Sequence, residues 1–422
     1  MRVPALVLFI LMYVLIIAIP KRRVWTACAC AVLFLLLGIL PFPELPGVIN
    51  WNVLMMISGT MLIVDFFIDS LMPNKIAEFL LDHSKNVMMV TIYMSLFAGI
   101  ISAFIDNVAT VLMVAPVGLA ICKKLGISPI PMILSIAVSS NLQGAATLVG
   151  DTTSILLGDY AKMDFTAFFF MKGRPGMFFA TELGAIATIP IMMILFRKDK
   201  APVSNEEHTS VRNYVPTVML LLMVALLITA SFIDDKPDVT NGLICLVLAL
   251  ITAALDYVKY KDASHMTRAL KSVDLETLLL LTALFIVIGG VTEVGIIDEF
   301  ASLIVSVGGN NIFLLYTIIV WGSVAISAFV DNIPYVATML PVLSGVTTQL
   351  GIEPYLLYFG LLCGATLGGN LTPIGASANI TAMGMLRKEG HDAGFKDFFR
   401  IGIPFTLTAV MAGYLFIWFV WR

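Results

Sequence analysis

The sequence predicts an all-α integral membrane protein made of two inverted-topology repeats, each with five spans, a re-entrant hairpin and a broken helix. Three observations carry this. The chain has 422 residues, of which 59% are hydrophobic and 13% charged, and its mean hydropathy of +0.98 exceeds what a soluble core can hide. The pattern Ser-Ala-Phe-Ile/Val-Asp-Asn occurs at 102–107 and again at 327–332, both times inside apolar stretches. Asp106 and Asp331 are 225 residues apart, and the same ungapped shift aligns Pro116 with Pro341, Gly126 with Gly351, Pro129 with Pro354, Gly144 with Gly369, Thr147 with Thr372 and Gly150 with Gly375. An internal duplication with polar atoms at matching positions is the signature of a repeat transporter.

Apolar stretches place spans near 3–19, 24–41, 50–71, 128–157 and 174–196, then near 214–232, 239–257, 274–296, 353–384 and 402–420. Between the third and fourth span of each half lies an apolar region folded about the Asp-Asn pair, near 87–122 and 310–349, read as a hairpin entering and leaving on one side. The charged segment after Arg197 separates the halves, giving repeat 1 at 1–197, a cytoplasmic linker at 198–213 and repeat 2 at 214–422. Apolar stretches recur to the last residue, so the first is read as a span and not as a secretion signal.

Assigning the 25 basic residues to sides tests the orientation. One arrangement puts 19 inside, among them Arg23, Arg212, Arg268 and Lys271, and leaves Arg2, Lys162, Lys172, Arg174, Lys236 and Arg422 outside. It places the N-terminus outside, in the plasma membrane. Five crossings per half is odd, so the second repeat is expected upside down relative to the first.

A tight turn at membrane depth exposes backbone groups that lipid cannot satisfy, so both tips must face protein or water. Asp106-Asn107 and Asp331-Asn332 each begin a helical arm whose N-terminus favours negative charge. Asp and Asn also cap helices, and capping is compatible with ion binding. Downstream, "NLQGAATLVGDTTS" from Asn141 and "GATLGGNLTPIGASAN" ending at Asn379 interrupt long spans with small residues, and Pro373 removes a donor. Glycine-rich breaks alone also serve helix packing, but two at corresponding positions point to discontinuous helices around a site. Asp151 aligns with Ala376 and Ser154 with Asn379, so the site is acidic and asymmetric. No Lys or Arg lies in either tip or break. Asp65 and Glu182 are weaker candidates for a proton path, and Asp69 is expected near a membrane face.

Other classes fit poorly. A net charge of −3 without a basic tract gives no basis for nucleic-acid binding. Cys28, Cys30, Cys122, Cys245 and Cys363 lack metal-ligand spacing and read as small hydrophobes. His83, His208, His265 and His391 all fall in polar connections, which removes zinc and Ser-His chemistry from the membrane, and no intramembrane protease signature is present. The chain is not read as an enzyme. A channel could use similar breaks, but paired hairpins suit gating around one closed site.

The segments "SAFIDNVATVLMVAP", "SAFVDNIPYVATMLPVL", "GGNLTPIGASAN" and "FKDFFRIGIP" resemble the ion transporter superfamily of arsenite permeases, NhaD-type sodium/proton antiporters, divalent-anion/sodium symporters and pink-eyed dilution (P) proteins. They are most similar to P-protein-like permeases, in the family's order and over nearly the whole chain. The resemblance implies a homodimer with a scaffold of outer spans and a mobile unit that moves as an elevator. Asp106 and Asn107 match the first tip, Asp331 and Asn332 the second, Gly144 to Ser154 the first break and Gly369 to Asn379 the second. Dicarboxylate symporters carry Ser-Asn-Thr where this chain has Asp106-Asn107-Val108, so carboxylate cargo is disfavoured. P proteins typically read Gly-Asp-Pro-Pro-Asn where this chain reads Gly150-Asp151-Thr152-Thr153-Ser154.

The expected function is an ion-coupled secondary transporter, using H+ or Na+, that moves a small inorganic ion or oxyacid across the bilayer by alternating access. Asp106, Asp331 and Asp151 are expected to bind the coupling ion, with Na+ a candidate at the two Asp-Asn pairs. Asn107, Asn332, Thr147, Thr372, Ser377 and Asn379 are expected to offer neutral ligands. Asn141, Gly144, Gly150, Thr152, Gly369, Asn370 and Gly375 complete the expected site. No cofactor beyond the coupling ion is expected. Sodium/proton antiport and sodium-coupled carboxylate transport are the alternatives.

Overall fold

Apolar runs punctuated by Pro, Gly, Asn and Asp cut the chain into helices. The structure, a computed structural model, describes residues 1–203, 209–309 and 311–422. Residues 204–208 of the expected linker, including His208, and Asn310 at the expected start of the second hairpin lie outside the described residues. The chain opens with α1 (Arg2–Ala18) and α2 (Arg23–Leu36), bent by 120° where Pro20 intervenes, and the single turn α3 (Leu45–Val48). Then come α4 (Trp51–Asp69), α5 (Met72–Asp82), α6 (Val87–Ser102), α7 (Asn107–Leu125), α8 (Ile130–Gly144), α9 (Thr152–Tyr160) and α10 (Met177–Leu195). The apolar helices α11 (Val215–Ala230) and α12 (Thr240–Tyr260), at the expected spans 214–232 and 239–257, and the short α13 (Ala263–Ser272) follow. The second series is α14 (Leu275–Glu293), α15 (Ile296–Gly308), α16 (Ile312–Ser327), α17 (Asn332–Leu350), α18 (Tyr355–Gly368), α19 (Ser377–Lys388) and α20 (Phe395–Trp421).

The duplication is visible in the helix boundaries. Shifted by 225 residues, α4 to α9 each start within one residue of α14 to α19. The stop and start signals recur as well. Asn86 caps α6 by accepting from Met89 N at 3.0 Å, and Asn311 caps α16 by accepting from Leu314 N at 3.0 Å. α7 and α17 both end at a left-handed glycine, Gly126 at φ 63° and Gly351 at φ 62°, a conformation that costs glycine little.

The long helices separate into two packed sets. α1 and α2 lie against α14, and α11 and α12 against α4, forming an outer set whose exposed Val14, Leu221 and Leu250 suit lipid. α6 to α10 pack with α16 to α20, and at their centre α8 and α18 are buried on nearly every side. The short helices α5 and α15 connect the sets.

Among the described residues, six helices (α4, α7, α10, α12, α14 and α20) are long and apolar enough to cross a bilayer. α7 and α17 have 19 residues and their partner arms α6 and α16 have 16, so the hairpins are lopsided. The expected spans 128–157 and 353–384 are indeed interrupted, between α8 and α9 and between α18 and α19.

The halves have exchanged bulk. On α18, Gly360, Gly364 and Gly368 lie against Tyr316, Val320 and Val324 of α16. At the shifted positions α8 carries buried Ser135, Ser139 and Gln143, and the small residue is instead Gly99 of α6, where an added Cβ would sit 2.6 Å from the Gln143 amide. Val324 over Gly368 in one half is thus replaced by Gly99 under Gln143 in the other, and the helices stay close in both.

Candidate functional site

The two tips are built alike. Asp106 Oδ1 accepts from Val108 N at 3.0 Å and Ala109 N at 3.2 Å, and Asp331 Oδ1 accepts from Ile333 N at 3.1 Å. Each aspartate therefore caps its helix with one oxygen and keeps the other for a further partner.

Each break grips its own tip. Thr147 donates its hydroxyl to Ala103 O, and Thr372 donates to Ala328 O. Gly150 faces the carbonyls of Gly144, Ser102 and Ala103 so closely that a Cβ would lie 2.6 to 2.8 Å from them, and Gly375 repeats this against Gly369, Ala328 and Ser327. Ser154 donates to Gly144 O at 3.2 Å, and Asn379, its counterpart, donates to Gly369 O at 3.1 Å. These residue types were required because a tight turn is closed by backbone carbonyls that need either a donor or an unobstructed neighbour.

The halves meet through amides. Asn141 donates to Thr366 O at 2.8 Å and to Asn370 Oδ1 at 3.1 Å, while its own Oδ1 accepts from Asn107 Nδ2 at 2.8 Å. Asn141 and Thr366 are themselves equivalent positions, so this contact joins corresponding points of the two halves. Asn370 donates to Val138 O at 2.8 Å. Asp151 is 3% exposed; its Oδ2 accepts from Thr153 at 2.9 Å and from Asn332 Nδ2 at 3.3 Å, which ties the first break to the second tip.

A cavity of about 330 Å³ lies against these groups. Asp106, Asn107, Asp151, Thr152, Asn332 and Ser377 line it from the inner set. From the outer set come Met61, Val64, Asp65 and Ile68 of α4 and the α13–α14 corner with Ser272, Asp274 and Thr277. At its edge Asp65 pairs with Arg268 at 3.2 Å, and the same guanidinium reaches Asp69 at 2.8 Å. The other end of α4 is fastened to the inner set. Asn50 and Asn52 both donate to the Asp159 carboxylate at the end of α9, the Asn52 bond measuring 2.8 Å, and Lys236 pairs with Asp164 nearby. Thirteen residues of helix, roughly 20 Å, separate Asn52 from Asp65.

The structure gathers six of the expected residues on the cavity and places the rest differently. Thr147, Thr372 and Asn379 were expected as cargo ligands, but their donors serve backbone carbonyls of the tips and breaks. Gly144, Gly150, Gly369 and Gly375 hold the turns closed, while Asn141 and Asn370 bond the halves together. Asp331 lies beside the cavity lining: its Oδ2 accepts from Ser377 at 3.3 Å and from Arg23 Nη1. That ion pair corrects the expectation of an acidic site without a basic partner, since the guanidinium arrives from outside both tips and breaks. Asp65 reaches the lining while pairing with Arg268, and Glu182 is not among the described lining residues. The sequence reading missed Asp274 and Thr277, which begin α14; the apolar run starting at Asp274 was its available signal.

Paired tips and broken helices inside a nearly all-helical membrane protein define a secondary transporter, not an enzyme. Residues 13–364 match the model of the citrate transporter (CitMHS) family, and the chain belongs to that family. It is 29% identical over 435 residues to an uncharacterized transporter of Mycobacterium tuberculosis, covering 99% of this chain and 98% of the relative. It is 26% identical over 451 residues to the P protein of Mus musculus, covering 88% of this chain and 54% of the relative. Its fold resembles the YdaH transporter of Alcanivorax borkumensis, with a TM-score of 0.61 at 14% identity over 89% of this chain and 87% of that one.

Proposed function

We propose that this protein is an ion-coupled secondary transporter that moves a small inorganic ion or oxyacid across the plasma membrane by alternating access, with H+ or Na+ as the coupling ion. The observation that carries the reading is the cavity itself. Asp106 and Asp151 face it with the neutral groups of Asn107, Thr152, Asn332 and Ser377, and no Lys or Arg is among its described lining residues. The carboxylates hold the coupling ion, and the amides and hydroxyls take the cargo. The basic-residue bias puts Arg268 and Lys271 inside and Lys162 and Lys236 outside, so the cavity edge is cytoplasmic and the Asp159 clasp extracellular. The two repeats then run inverted, and the inner set moves past the outer set as an elevator within a homodimer.

The family description and the Arg23 guanidinium beside the second tip favour a carboxylate as the alternative cargo. Internal pH of proteoliposomes, followed while sodium, lithium, arsenite or citrate is added, separates the readings. Cargo-dependent proton movement that is lost in Asp106→Asn supports ion-coupled transport. Sodium-driven proton exchange without any other cargo assigns an antiporter instead, and citrate-specific flux assigns the carboxylate. Proton movement that persists undiminished in Asp106→Asn rules out the role given to that carboxylate.

A further inference from the structure

We propose that Arg23 is a tethered counter-cation for the second tip: it fills the place at Asp331 that a free coupling cation fills at Asp106, and it is released when the inner helices shift against the outer ones. The inference deepens the transport reading and rests on it.

The two tips are duplicates with the same cap geometry, yet their free carboxylate oxygens differ. Asp331 Oδ2 holds Arg23 Nη1. Asp106 faces the cavity, and no ion pair engages it among the described residues. The Arg23–Asp331 pair is largely shielded, with the two side chains 24% and 11% exposed. Shielding makes the charges costly apart and strongly coupled together. Asp274 and Glu276 at the start of α14 lie near enough to act on the guanidinium electrostatically, as Asp331 does on Asp151.

The two ends of the pair belong to different sets. Arg23 is the first residue of α2, which packs on α1 and α14, whereas Asp331 caps α17, which packs chiefly on α15, α18 and α9 and only lightly on α14. Sliding of one set past the other must break this contact. While it holds, Asp106, Asp151, Asp274, Asp331 and Arg23 together carry three formal negative charges; without the guanidinium they carry four. One more unbalanced carboxylate in so confined a place draws in a proton or a metal cation.

The test counts cations at equilibrium on purified protein in detergent, without cargo, by sodium binding and by proton uptake on titration. Arg23→Gln is expected to bind one more monovalent cation per chain than the wild type, and Arg23→Gln/Asp331→Asn to return to the wild-type count. Arg23→Lys is expected to keep that count. In proteoliposomes Arg23→Gln is expected to change the charge moved per cargo, which a merely structural ion pair would not alter. An unchanged cation count in Arg23→Gln overturns the proposal. Should that variant fail to fold, the charge-swapped Arg23→Asp/Asp331→Arg restores the pair, and any departure of its count from wild type overturns the proposal equally. Absence of flux for every cargo in the wild type would count against the transport reading alone, because the equilibrium count needs no transport.

Discussion

Gly150 offers the sharpest test of how the first tip is held. An alanine there puts its Cβ 2.6 Å from Gly144 O, 2.7 Å from Ser102 O and 2.8 Å from Ala103 O. Close carbon–oxygen contacts settle at about 3.3 Å or more, so all three distances fall short by roughly 0.5 Å or more. No acceptor can rotate away, because each is a main-chain carbonyl of the α8 end or of the tip. Overpacking costs about 1–3 kcal/mol, and three backbone obstructions at once place Gly150→Ala near 3 kcal/mol. That is on the order of a 100-fold shift away from the gripped arrangement. Gly375→Ala meets Gly369 O at 2.6 Å and Ala328 O and Ser327 O at 2.8 Å, so it should lose as much. Gly384 in α19 meets nothing within 4 Å and serves as control. There alanine is expected to be neutral or to add up to about 1 kcal/mol of helix stability. Initial flux into proteoliposomes, normalised to reconstituted protein, and melting temperature in detergent are the readouts. Wild-type flux and melting in Gly150→Ala would refute the contact between tip and break.

Thr147→Val and Thr372→Val keep shape but leave Ala103 O and Ala328 O without their hydroxyl donors; each should cost about 1–3 kcal/mol, visible as a lower melting temperature. Gly99→Val should destabilise by driving a side chain into Gln143, and adding Gln143→Gly should recover part of the loss by recreating the Val324–Gly368 arrangement. A double-mutant cycle on thermal stability should return a favourable coupling of about 1 kcal/mol or more, and strict additivity would argue against the exchange of bulk.

The parts readable from sequence were those in which a residue type has few substitutes. Asp before a helix, glycine against a carbonyl and proline inside an apolar run each answer a backbone requirement, and their recurrence at one spacing exposed the duplication and both breaks. Arg23 was unreadable for the opposite reason. It lies 308 residues from Asp331, and nothing in its own "PKRRVW" setting tells a guanidinium that meets a carboxylate from one that meets water. Thr147 and Thr372 were recognised as polar groups at the break, but the direction in which a hydroxyl donates depends on the tip brought beside it. The helices α5, α13 and α15 escaped notice because they are only 10 to 13 residues long, below the length of a span.

The grip of each break on its own tip limits which parts can move. A hairpin pinned at its apex by a threonine and a glycine-sized gap has no loose end to lift as a valve flap over Asp106 and Asp151 unless those contacts break. On the proposed alternating access, both hairpins and both interrupted helices travel as one piston, with α4 and α14 as the sleeve. A molecule wedged between piston and sleeve, beside the Asp159 clasp, would then stall transport while leaving the ion site chemically intact.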